Sequence, residues 1–172
     1  MSNIRKVVVL SLLTAVSVII FVLEAQIPSF IPIPGVKLGL SNVVSLSVLL
    51  LFGFWDSSAV ILIRCFLGSL LSGQLSALPY SLTGGFLALI VMWSLHKIIK
   101  ENQIFILSAI GAIFHNVGQI SMACIITDTP GLVMYLPILL ISGIMTGLFT
   151  GFTVQFFQPK LKKAMKINPV SS

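Results

Sequence analysis

Six apolar stretches follow one another from Val7 to Phe157, and this repetition constrains the chain more than any motif within it. A hydrocarbon core about 30 Å thick needs roughly 20 apolar residues in helical form. Six such spans use most of the 172 residues and leave about 50 for ends and loops. A soluble skin is not available: Lys, Arg, Asp and Glu make up 8% of the chain, against roughly 25% in an average soluble domain. This excludes an ordinary cytosolic enzyme, a disordered chain and a nucleic-acid-binding domain, despite a net charge of +6. The expected fold class is an all-α integral membrane protein with six transmembrane helices in one domain, residues 1–172.

Charges, prolines and glycines between the apolar runs place the spans at about 7–23, 38–54, 58–75, 78–95, 104–127 and 132–157. The first follows Arg5 and Lys6, as a signal peptide would, but Glu24, Ala25 and Gln26 offer no small-residue cleavage site, so a retained helix is expected. Pro28, Pro32 and Pro34 exclude regular helix from the next stretch. Its apolar Ile27, Phe30, Ile31 and Ile33 argue against free exposure to water. Residues 26–37 are therefore expected to form an extracellular lid loop. Eight of the ten Lys and Arg residues (Arg5, Lys6, Lys97, Lys100, Lys160, Lys162, Lys163 and Lys166) fall on one side if both termini are cytoplasmic. The positive-inside rule then orients the chain N-in and C-in. Residues 158–172 become a basic cytoplasmic tail held at anionic lipid headgroups. The expected location is a bacterial cytoplasmic membrane.

Polar side chains inside the spans carry the functional reading. Arg64 lies six residues into its span, roughly 9 Å along a helix that rises about 1.5 Å per residue. Insertion scales charge about 2.5–3.5 kcal/mol for arginine at a helix centre. Glu24 and Asp128 fall at outer helix ends and Asp56 at an inner one, so no carboxylate is expected at its depth. Two readings stay open. Arg64 caps carbonyls or snorkels toward the cytoplasm, or it is a counter-charge for an anionic ligand.

On the fifth span Ser108, Gly111, His115 and Gln119 share a face, with Asn116 beside it. His115, Asn116 and Gln119 are more polarity than packing requires, and they read as ligand-facing or pocket-shaping. At the start of the second span Lys37, Ser41 and Ser45 share a face next to Asn42. With Gln74, Tyr80 and Thr83 they are expected to line an outward-facing cavity beneath the lid. The candidate substrate-binding set is Lys37, Asn42, Arg64, Tyr80, Thr83, His115, Asn116 and Gln119.

Small residues have a different meaning in a membrane, where they let helices approach closely. Gly143, Gly147 and Gly151 stack on one face of the sixth span and point to helix packing. Ser11 and Ala15 make a shorter pair on the first span, suited either to internal packing or to docking on another membrane protein. Cys65 and Cys124 lie in apolar stretches without metal-type spacing and read as buried small side chains. The chain carries no phosphate-cradling glycine loop, no paired acidic motif for magnesium and diphosphate, and no nucleophile–histidine–acid set. No cofactor, no metal and no catalysis by this chain alone are expected.

The segments "PGVKLGLSNVVSLSVLLLFGFWDSSAVILIRCFLGSLLSG", "SLTGGFLALIVMW", "GAIFHNVGQI" and "YLPILLISGIMTG" resemble the Gx transporter family, also called heptaprenyl diphosphate synthase component I. The likeness covers about residues 5–157, with Pro34–Asn42 and His115–Gln119 its most specific parts. That family is similar to the substrate-binding S components of energy-coupling factor (ECF) transporters. The resemblance implies a six-helix S-component-like bundle whose pocket opens outward under the loop after the first helix. It also implies docking through the first helix onto a transmembrane coupling subunit driven by two cytoplasmic ATPases. Many S components carry two alanines four apart at that face, and Ser11 and Ala15 meet the spacing here. The leading expectation is a non-enzymatic binding subunit for uptake of a small vitamin-like or quinone-precursor-like solute, with membrane lipid but no nucleic acid as a further partner. The alternative is a non-catalytic membrane accessory subunit of a prenyl diphosphate synthase.

Overall fold

The computed structural model describes residues 3–26 and 37–165, so most of the expected lid and the last part of the expected tail lie outside the described residues. The described chain is helical nearly throughout. Its helices are α1 (Asn3–Gln26), α2 (Asn42–Phe52), α3 (Phe54–Leu71), α4 (Leu78–Leu95), α5 (Ile104–Thr127) and α6 (Leu136–Met165). Short 3-10 turns at Leu75–Ala77, Glu101–Gln103 and Pro130–Tyr135 lead into α4, α5 and α6. Five of the helices are long and apolar enough to cross a bilayer, which makes this a multi-pass membrane protein.

The expected fourth and fifth spans coincide with α4 and α5 residue for residue. Pro79 sits in the first turn of α4, where its missing N–H costs nothing. Asp128 ends α5 in the left-handed region at φ 49°, with a backbone N–H returning to Cys124 O. The sixth span differs at its end. α6 continues through Pro159 to Met165 instead of closing at the proline.

The second span is the main correction. Helix is confined to the 11 residues of α2, about 16 Å at ~1.5 Å per residue. That is roughly half the hydrocarbon thickness. Residues 37–39 before it adopt no regular secondary structure. α2 is mostly apolar and mostly buried, as a helix surrounded by others must be. It touches α1, α3, α4, α5 and α6, so the shortest helix is the hub of the bundle. Gly53 then turns the chain straight into α3 at φ 95°, a conformation costly for any other residue.

The most extensive contacts join α5 to α6 and α4 to α5. A Cβ on Gly147 would stand 2.7 Å from Ala109 Cα and 2.9 Å from Ala112 Cβ, and one on Gly151 would meet Phe105 and Ser108. The glycine ladder is therefore the seam on which α6 lies against α5, as its spacing led us to expect. Arg5 donates to Ala164 O at 3.3 Å, which brings the start of α1 and the end of α6 to one end of the bundle. At that same end Lys6 pairs with Asp56 at 2.8 Å.

Candidate functional site

Irregular backbone inside a helical bundle leaves N–H and C=O groups that water cannot reach, so each needs a protein partner. Residues 37–41 find theirs on three helices. Glu24 Oε1, near the end of α1, accepts from the Gly39 N–H. Gln119 on α5, its amide oriented by its partners, donates to Lys37 O at 3.0 Å and accepts from Lys37 N–H at 3.3 Å. Thr146 on α6 donates to Leu38 O at 3.3 Å. Gly39 adopts φ 83°, and a Cβ there would meet Asn42 Nδ2 at 2.9 Å and His115 Cδ2 at 3.1 Å. Only glycine suits this position, both for its backbone and for its space. From Asn42 onward the segment recovers helical bonds, with Asn42 N donating to Gly39 O at 3.0 Å.

Behind this segment lies a narrow cavity of about 10 Å³, room for about one water molecule, lined by Phe21, Glu24, Lys37, Gly39, Ser41, Arg64, Ser81, His115 and Gln119. Arg64 is 1% exposed. It lies ten residues after Phe54, the first residue of α3, or about 15 Å along the helix at ~1.5 Å per residue. That is deeper than the span limits implied. Arg64 does not reach the surface by snorkelling. Its guanidinium donates to Ser45 Oγ at 3.1 Å and, through both Nη atoms, to Asn42 Oδ1 at 3.4 Å. The Lys37 ammonium stands 3.5 Å above the centre of the Phe21 ring, a cation–π contact in a desolvated place. Glu24 attracts Lys37 across the cavity while Arg64 repels it. His115 donates from Nε2 to the Gln119 carbonyl oxygen at 3.2 Å.

Five buried polar atoms of cavity-lining residues have no hydrogen-bond partner among the described residues: Glu24 Oε2, Lys37 Nζ, Arg64 Nε, Ser81 Oγ and His115 Nδ1. Buried polar groups are ordinarily paired, and unpaired charges are the costliest exceptions. Among the described residues no three His, Cys, Asp or Glu side chains are grouped as a metal site would need.

The eight residues selected from the sequence divide. Lys37, Arg64, His115 and Gln119 line the cavity, and Asn42 supports it through Arg64. Asn116 points instead into the α5–α6 seam, donating to Leu139 O at 2.6 Å. Thr83 bonds back to Pro79 O on its own helix at 2.9 Å. Tyr80 packs in an apolar cluster with Ile120, Ala123 and Leu139. Gln74, also expected at the cavity, donates to Ala25 O at 3.4 Å. Ser11 and Ala15 are both exposed on the outer face of α1, which leaves them free of internal packing among the described residues.

Glu24 is the residue that sequence reasoning misplaced. Its position at an outer helix end put it away from the depth of Arg64, yet it is 5% exposed and shares the cavity with Arg64. A signal was present. A proline-rich break within membrane depth needs acceptors for its N–H groups, and an acid just before the break is the nearest candidate. Phe21 and Ser81 carried no comparable signal, being an ordinary aromatic and an ordinary serine within apolar runs.

No curated protein and no solved structure matches this chain. A family model does: that for heptaprenyl diphosphate synthase component I matches residues 13–157, from the middle of α1 into the last third of α6. The protein thus belongs to the heptaprenyl diphosphate synthase component I family.

Proposed function

We propose that this protein is a non-catalytic, solute-binding membrane subunit, with both termini in the cytoplasm and the cavity reached from outside. The observation that carries this reading is the cavity itself. Arginine, lysine and glutamate are buried together among membrane helices, with Arg64 Nε, Lys37 Nζ and Glu24 Oε2 left unsatisfied among the described residues. Ionisable residues at that depth are costly and ordinarily belong to a solute or ion path. A cluster that served only the fold would be expected to close its own hydrogen bonds.

In this reading the chain is the S component of an ECF-type importer in a bacterial cytoplasmic membrane, capturing a small polar solute with negative character. The outer face of α1 around Ser11 and Ala15 docks on a transmembrane coupling subunit, and two cytoplasmic ATPases drive release. The support is the resemblance given above, the polar cavity, and the exposure of that small-residue pair.

The family name favours a second reading, in which the chain is the membrane accessory subunit of a prenyl diphosphate synthase. A separate catalytic subunit then supplies the chemistry, and the apolar bundle receives the growing chain. Purification of the tagged protein from native membranes in mild detergent, with mass spectrometry of its companions, separates the two. Two ATPases with a membrane coupler are expected. A soluble prenyl synthase without ATPases would overturn the importer reading.

A further inference from the structure

The outer face of α6 carries a pattern that the cavity does not use. Met145, Phe149, Phe152, Phe156, Lys160 and Lys163 follow one another at intervals of three or four residues, so they form one stripe along the helix. All six are exposed. Phe152 stacks on Phe105 of α5 with ring centres 4.8 Å apart, which fixes the middle of the stripe against the bundle. Lys160 Nζ stands 3.8 Å above the centre of the Phe156 ring and 5.7 Å from that of Phe157. This cation–π contact holds the ammonium at the end of the aromatic column.

We propose that the stripe binds one anionic phospholipid, its acyl chains along Met145, Phe149 and Phe152 and its phosphate at Lys160 and Lys163. Depth supports this. α6 has 30 residues, about 45 Å at ~1.5 Å per residue, against a hydrocarbon core of about 30 Å. Its last turns therefore reach the headgroups, and the lysines expected in a tail belong to those turns. Charge supports it too. Among the described residues neither Lys160 nor Lys163 has a carboxylate partner, and Asp56 at the same end of the bundle is taken by Lys6 at 2.8 Å. An anion is the complement, and a zwitterionic headgroup brings a cation of its own.

A second protein helix fits this face poorly. Helices in a bilayer approach each other through small residues. α6 has turned its three glycines, Gly143, Gly147 and Gly151, inward on α5, and bulky side chains make up the stripe. The exposed small pair lies instead on α1, at Ser11 and Ala15. Flexible acyl chains fill the spaces between large side chains, where a rigid helix would be held away.

The test uses the full-length protein in neutral detergent, with dioleoylphosphatidylglycerol and dioleoylphosphatidylcholine added in equal amounts and the retained lipid counted by native mass spectrometry. One phosphatidylglycerol is expected per chain, in preference to phosphatidylcholine. A lysine close to anionic lipid is worth about fivefold in affinity, so Lys160→Gln and Lys163→Gln should each lower the preference by about that factor. Lys97→Gln with Lys100→Gln, between α4 and α5, should leave it unchanged. Met145→Ala with Phe149→Ala should lower retention of both lipids and keep their ratio. The melting midpoint of each variant without added lipid reports whether it folds, and where one does not, the wild-type protein with the two lipids decides alone. Equal retention of the two lipids overturns the proposal. So does an equal loss of preference in the variant at Lys97 and Lys100, which would make the attraction a property of the whole basic end. Unchanged retention without Met145 and Phe149 would remove the stripe from the site. Displacement of phosphatidylglycerol by an equal amount of geranylgeranyl diphosphate would overturn the phospholipid assignment and give the stripe to a prenyl diphosphate. The co-purification experiment judges the subunit reading separately.

Discussion

α5 presents two polar faces, and neighbouring residues on it do different work. Asn116 turns to α6, donates to Leu139 O at 2.6 Å, and joins a seam closed by Gly143, Gly147 and Gly151. Farther along that seam Ser108 and Thr150 share a hydrogen bond of 2.9 Å. His115 turns the other way, toward Gln119, Lys37 and Arg64. On α5 and α6 outside the cavity the orphans among the described residues are neutral, Asn116 Oδ1 and Gln155 Oε1, whereas the cavity leaves atoms of three charged side chains unpartnered. Polarity in a membrane bundle is therefore not by itself a sign of a ligand. Unfinished hydrogen bonding of charged groups is the better one.

The largest expected effect comes from removing the charge that holds the cavity together. Glu24→Ala strips Gly39 of its acceptor and leaves two buried cations unopposed, which should cost about 3–5 kcal/mol. A much lower melting midpoint in detergent would show it, with Glu24→Gln restoring part of the loss. A midpoint close to wild type would mean that Glu24 is not the clasp of the broken segment.

The seam should fail differently. Gly147→Val forces a branched side chain against Ala109 and Ala112, and overpacking of this kind costs about 1–3 kcal/mol. Stability should fall by the same amount whether or not Glu24→Gln is also present. Unequal losses would couple the two faces of α5.

Asn116→Ala and Gln119→Ala sharpen the comparison within one helix. The first should lower stability by about 1 kcal/mol, the usual net worth of a hydrogen bond. The second should lower it further, because the irregular segment bearing Lys37 loses its anchor on α5. Equal behaviour of the two variants would erase the distinction drawn here.

The smallest effect is expected at the bundle end. Asp56→Asn breaks a partly exposed pair with Lys6, worth at most about 1 kcal/mol and less at high salt. A midpoint that shifts more than this, and does so equally at low and high salt, would show that the pair does more than tie α1 to α3.

Much of the fold was legible. α4 and α5 begin and end where charge, proline and turn residues put them, because a bilayer-length helix announces itself by composition alone. The seam was legible for a related reason, since glycine at every fourth position is a single-face pattern. The site was half legible. Lys37, Arg64, His115 and Gln119 stand out as polar residues in apolar surroundings, but so do Tyr80, Thr83 and Asn116, which serve packing and local bonds. Rotation of a helix about its axis decides between the two, and six faces of mean apolarity do not reveal it. The second span failed for another reason. Residues 38–54 are apolar on average, and hydropathy does not distinguish a spanning helix from a shorter one buried in protein.

What the sequence by itself determined is the solvent: with 8% charged residues and repeated apolar runs, the chain must place most of its helices in lipid. It also determined that Arg64 is costly wherever it lies, because few spans could hide it. Only the tertiary structure decided where that cost is met. Apolar surface is indifferent to which apolar neighbour it finds, so composition can set membership in the membrane without setting arrangement. Hydrogen bonds and charges are directional and short in reach. It took the folding of Glu24, Lys37 and Gly39 around the first turn of α2 to turn scattered polar residues into one cavity.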